Sequence, residues 1–152
     1  MNKEILANES TMSVKGAVTV ERFDASGSLV EKREIKNLVV TVGKNFIASR
    51  MAGTSSQVMS HMAVGTGTAS AVAADTACGT EIGRVALTST TPTTNSVTYV
   101  ATFPAGVGTG AVTEAGLFNA ASAGTMLART VFPVVNKGSA DSISLTWVVS
   151  IN

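Results

Sequence analysis

The segment SISLTWVVSI, residues 142 to 151, sets Ile143, Leu145, Trp147, Val149 and Ile151 against Ser142, Ser144, Thr146, Val148 and Ser150. Strict alternation is the period of a strand with one face in a core and the other wet or shared. A one-residue slip would expose the whole Trp147 row, so the register is strongly specified. The same period runs through SVTYVATF, residues 96 to 103, which places Val97, Tyr99, Ala101 and Phe103 on one face. AVTEAGLFN and GTMLARTVF predict further strands, with PAGVGTG and NAASAG as turns between elements. Earlier in the chain, GAVTVERF (16 to 23) and LVEKREIK (29 to 36) flank DASGS, which predicts a hairpin whose glycine supplies a positive φ. VMSHMAV and EIGRVALTST read as two more strands on either side of the GTGTASAVAADTACG loop.

The period changes once. NLVVTVGKNFIASRMAG begins as a strand, and from Gly43 onward Phe46, Ile47, Arg50 and Met51 recur at helical spacing, with Gly53 in the stop position. This predicts one helix, about residues 43-52, too short to be stable alone, so Phe46, Ile47 and Met51 are expected to pack on the sheet. Residues 1-14, MNKEILANESTMSV, carry no periodicity and are expected to form a flexible N-terminal arm that orders only on a partner. The expected architecture is mainly β: a single antiparallel β-sandwich or jelly-roll-like domain over residues 15-152, with eight or nine strands and one short helix.

A chain of 152 residues accommodates one such domain. Its charged fraction is 14%, against a usual value of about 25%. Of 21 charged side chains, 14 fall in residues 1 to 50 and 7 in residues 51 to 152. Lys, Glu and Asp are depleted at interface cores, so this imbalance predicts an assembled state, a homo-oligomer of cyclic symmetry built around loops such as 65 to 80 and 104 to 110. A net charge of +1 provides no field to steer nucleic acid or an anionic membrane surface, and neither is expected as a partner. No apolar run approaches the ~20 residues of a membrane span, and MNKEILANES has no leader-like stretch, so a soluble protein made in the cytoplasm is expected.

The stretch most like a site is HMAVGTGTASAVAADTACGTEIGR. Gly65 and Gly67 fit the first two glycines of a dinucleotide loop, but Ser70 stands in the third place. A P-loop needs a lysine, and none occurs between Lys44 and Lys137. Gly65 and Gly67 are therefore read as serving a turn where a strand exits into a loop. His61 is the one histidine and lies in phase with Met59 and Ala63, as a satisfied polar member of a strand face does. Cys78, the one cysteine, reads as a small buried or neutral residue, and one His with one Cys forms no metal set. Glu81 with Glu114 would be the pair for glycosidase chemistry; the preferred reading makes them ion pairs, Glu81 with Arg84 and Glu114 with Arg129 on neighbouring strands. Tyr99 and Trp147 sit in core phase, which weakens a sugar-binding platform. EKREIK, with its interleaved glutamates, reads as a solvated strand edge. No catalytic, cofactor-binding or metal-binding residue is expected, and the chain is not expected to be an enzyme.

The succession KNLVVTVGKNFIASRM, HMAVGTGTA, DTACGTEIGRVAL, VTYVATFPAGVGTGAVTEAGLFN, GTMLARTVFPVVNKG and SISLTWVVSI resembles a family of tailed-bacteriophage virion structural proteins. AVGTGT, then E-x-x-R, then TEAGLFN with GTMLAR are also similar to phrases in the N-terminal attachment modules of phage tail-collar fibres. The resemblance spans residues 36 to 152. It implies a non-enzymatic β-rich building block of the virion, assembled in the host cytoplasm, whose partners are other virion proteins. As a capsid decoration or cement protein it would dock on the major capsid protein; as a tail-fibre or collar adaptor it would dock on tail or collar proteins. Collar fibres continue into a shaft and a receptor-binding tip, whereas this sequence ends at Asn152, which favours the decoration reading.

Overall fold

In the computed structural model, residues 11–152 are described, so residues 1–10 of the expected arm lie outside the described residues. Among the described residues, ten strands form two five-stranded sheets, and every pairing is antiparallel. The first sheet contains β1 (Val14–Phe23), β2 (Leu29–Lys36), β6 (Ser89–Pro92), β7 (Ser96–Phe103) and β10 (Ser142–Ile151), in the order β2-β1-β10-β7-β6. The second contains β3 (Leu38–Val39), β4 (His61–Gly65), β5 (Glu81–Ala86), β8 (Gly110–Phe118) and β9 (Met126–Lys137), in the order β3-β9-β8-β4-β5. This is the expected β-sandwich.

The core lies between the sheets, where the alternating rows meet. Val18, Val20, Phe103, Leu145 and Trp147 come from the first sheet, and Met62, Val64, Leu117 and Phe132 from the second. Ile143, Leu145 and Trp147 are wholly buried, whereas Ile151, expected on the same row, is 42% exposed because it ends the strand. Val97 and Tyr99 are half-buried while Ala101 and Phe103 are fully so. The row therefore runs from the rim of the sandwich into its centre.

Several boundaries differ from the sequence reading. EIGRVALTST is split: the Leu87 N–H donates to Ser60 and the Thr88 N–H to Val100, so the chain changes sheets between these residues and the stretch becomes β5 and β6. Residues 58 to 60 precede β4 rather than belonging to it. GTMLARTVF extends through PVVNK, with Pro133 accommodated where the β8–β9 register shifts between Val112 and Glu114. At the chain's start, Ser13 and Asn152 exchange two backbone hydrogen bonds, and Val14 already pairs with Ile151 in β1.

The helix α1 spans Thr41–Met51. A Cβ at Gly43 would fall on the Leu127 carbonyl, so glycine lets this first turn lie directly on β9. Phe46 and Ile47 follow onto the core. Met51, expected to pack as well, is 77% exposed, because the close approach is at the other end of the helix.

Candidate functional site

The β-bulge between Val112 and Glu114 decides what the site-like stretch becomes. It shifts the phase of β8, so that Val112, Ala115 and Leu117 enter the core while Glu114 and Phe118 turn to the opposite face of the second sheet. On that face, Val40, Ala63, Phe118 and Met126 form a second apolar cluster, with Val42 and Cys78 packed against it. The loop of residues 66 to 80 bears on this cluster.

Glu114 is completely buried and holds that loop. Its Oε1 accepts the N–H groups of Gly67 at 2.9 Å and Thr80 at 2.7 Å, and its Oε2 accepts that of Gly79 at 2.8 Å. Arg129, 3% exposed, donates to the same Oε2 from Nε at 3.0 Å and from Nη2 at 2.8 Å. The guanidinium also reaches into the loop, with Nη1 donating to Asp75 Oδ2 at 2.9 Å and Nη2 to the Ala69 carbonyl at 3.1 Å. Burial opposes ionisation of Glu114, but the N–H groups of Thr80 and Gly79, the Arg129 guanidinium and the Gly67 N–H outweigh it and hold the carboxyl below its ordinary value.

This geometry corrects the reading of GTGT. Neither Gly65 nor Gly67 has a positive φ, so neither is required by turn geometry. A Cβ on either would strike the Glu114 carboxylate; at Gly67 it would stand 2.5 Å from Oε1. The glycines clear a path by which main chain reaches a buried anion. The anion is the protein's own side chain, not a bound phosphate.

The second pair closes the neighbouring loop. Arg84 donates to both carboxylate oxygens of Glu81, at 2.9 and 2.7 Å, and its Nη1 to the carbonyls of Ala120 and Ala123, at 3.0 and 2.9 Å. Its guanidinium carbon lies 3.8 Å from the centroid of the Phe118 ring, where stacking adds to the ion pair. Glu81 and Glu114 thus belong to separate arginine clasps, each tying a loop to the second sheet. Glu114 has its oxygens filled by five donors and is kept ionised, which suits anchoring and leaves it no proton to donate.

His61 is half-buried and its Nδ1 shares a 2.8 Å hydrogen bond with the Ser60 hydroxyl. Cys78 is half-buried beside Gly116, and its thiol is pushed up to about 12 by burial and by the charge of Glu114. A thiol so protonated is a poor nucleophile and a poor metal ligand. Among the described residues no group of three or more His, Cys, Asp or Glu could hold a metal, and no helix is long and apolar enough to cross a membrane. EKREIK forms β2, an edge strand with Glu31 bridging Arg22 and Arg33.

Sequence reasoning missed Asp75, which completes the Arg129 clasp from a loop without periodicity. It also missed Lys137, 2% exposed, whose ammonium donates to the Pro104 carbonyl at 2.9 Å. The available signal was scarcity: in a nearly chargeless region, each remaining charge has a job. Compared with known protein families, curated proteins and solved structures, the chain matches none.

Proposed function

We propose that this protein is a non-enzymatic building block of a tailed-phage virion, docking on the particle surface as a capsid decoration protein. One observation supports the assembly part of this reading. All seven charged side chains after residue 50 are used internally: Asp75 and Glu114 on Arg129, Glu81 on Arg84, Asp141 on Arg22, and Lys137 buried on Pro104. What remains on that surface is Ser, Thr, Ala, Gly and isolated apolar groups such as Val58, Val72 and Val134. A surface emptied of free charge suits contact with other protein rather than solvation of a monomer. The virion assignment rests on the resemblance of residues 36 to 152.

The tail-adaptor reading is kept for one reason: the motifs shared with collar-fibre attachment modules contain Glu81, Arg84, Glu114 and Arg129, the residues of the two clasps. The two readings part in a reconstitution experiment. Purified protein is added to particles lacking it, and to isolated heads and tails, and occupancy is measured after a salt wash. Binding to heads in many copies is expected; binding to tails alone replaces decoration by the adaptor role, and binding to neither overturns both.

A further inference from the structure

The cations that no ion pair consumes converge on one cleft. Among the described residues, Arg22, Lys32, Arg33, Arg84 and Arg129 are in salt bridges, Lys137 is buried, and Arg50 donates to the Ser55 carbonyl. Lys15, Lys36 and Lys44 remain, and all three are exposed. They come from β1, β2 and α1, yet all line one cavity of about 600 Å³. It lies at the corner where the chain steps from β2, an edge of the first sheet, to β3, an edge of the second.

The remaining side chains of the lining are apolar or neutral. Val14, Leu38, Val39 and Val148 contribute aliphatic surface, and no Asp or Glu lines the cavity. Asn37 sits in its wall with both carboxamide atoms buried and without a hydrogen-bond partner among the described residues. It stays there because Gly16 opposite has no side chain: a Cβ would collide with the Asn37 carboxamide.

We infer that this cleft is a binding site for an acidic peptide segment of a partner protein. Its carboxylates meet the three ammonium groups, and its aliphatic portions lie on the valine and leucine lining. Two features favour peptide over nucleic acid. The lining contains no aromatic side chain on which a base could stack, and three lysines without an arginine fork give point charges rather than bidentate phosphate recognition. Among the described residues, Glu31, Glu34, Asp75, Glu81, Glu114 and Asp141 are already paired, Glu21 is fixed in β1 and Asp24 holds the turn after it, so the segment is drawn from another protein. The inference stands on the cleft itself and does not depend on the virion assignment.

The test is an NMR titration of the isotope-labelled full chain, at low salt, with the acetylated and amidated pentapeptide Glu-Glu-Leu-Glu-Glu. Saturable shifts confined to residues 14 to 17, 36 to 39 and 44 are expected. A Lys15→Ala/Lys36→Ala/Lys44→Ala variant should melt like wild type and bind about tenfold more weakly or worse, whereas Lys32→Ala should bind normally. Equal affinity in the triple variant overturns the site. So does inorganic phosphate or a hexathymidine strand binding as tightly as the peptide, which would make it a general anion or nucleic-acid site. Binding that requires prior deletion of residues 1 to 10 also overturns it, since the cleft would then be filled by the chain itself.

Discussion

Glu114 and Arg129 are diagonal neighbours on adjacent strands: Glu114 stands across from Val131 and Arg129 across from Gly116, and the arginine reaches its partner at 2.8 Å. Because the pair also holds the loop of residues 66 to 80, removing one member strands a buried charge and releases several backbone N–H groups together. Arg129→Met is expected to cost about 3 to 5 kcal/mol, and Glu114→Gln a comparable amount. The double variant should cost less than the sum of the two. Chemical denaturation of the four proteins checks this, and a coupling energy near zero would show that the pair does not act as a unit.

Acid should dissolve the same clasp. Glu114 titrates lower in the folded protein than its ordinary value of about 4.3, so its contribution is fully present above that pH and is lost as the pH falls through the folded value. The melting temperature of wild type should therefore drop steeply below about pH 4. That of Glu114→Gln should fall less over the same range, and parallel curves would remove Glu114 from the acid response.

Gly67→Ala puts a methyl group where the Glu114 carboxylate lies and should destabilise by about 1 to 3 kcal/mol, as overpacking does. Ser144→Ala, on the outer face of β10, should be nearly silent. Trp147→Ala empties a wholly buried site and should cost about 3 to 5 kcal/mol, enough to unfold a domain of ordinary stability. Thermal melts of the three variants rank these effects directly.

Cys78 can report on the loop. With its thiol pushed up to about 12, it should react with an aromatic disulfide at pH 8 far more slowly than a free thiol, at a rate set by loop opening. Glu114→Gln should accelerate the reaction by at least tenfold if it weakens loop closure by about 1.4 kcal/mol or more. An unchanged rate would mean that residue 78 is reached by a route independent of the clasp.

The strand period was readable because one face of each strand is core: SVTYVATF and SISLTWVVSI have the observed limits of β7 and β10. The two ion pairs were readable because charge is so sparse that few partners exist. What periodicity did not carry was the change of sheet at Leu87 and Thr88, which depends on hydrogen-bond partners distant in sequence. Nor did it carry the irregularity at Val112 to Glu114, where two steps along β8 stand against four along β9 and Glu114 leaves the core face. The glycines of GTGT were assigned to backbone conformation, the usual reason for glycine, when the cause was the volume of a carboxylate met only in the folded chain. Met51 kept helical spacing but not burial, since spacing specifies a face and not how far along the helix that face is covered.

The pairing of β1 with β10 also sets a timetable for synthesis. β10 is the middle strand of the first sheet, with β2 and β1 on one side and β7 and β6 on the other. It also leaves the ribosome after the other nine described strands. Until it emerges, the β1–β2 and β6–β7 hairpins have no common strand to join them, and the valines of β1 have no Trp147 row to cover them. Closure then depends on contacts between the two extremes of the domain, the arrangement that makes folding slow and leaves apolar edges open to other chains in the meantime. Overproduction at high temperature should therefore lose this protein to aggregates formed during translation, even though the finished sandwich is held by clasps on its far side.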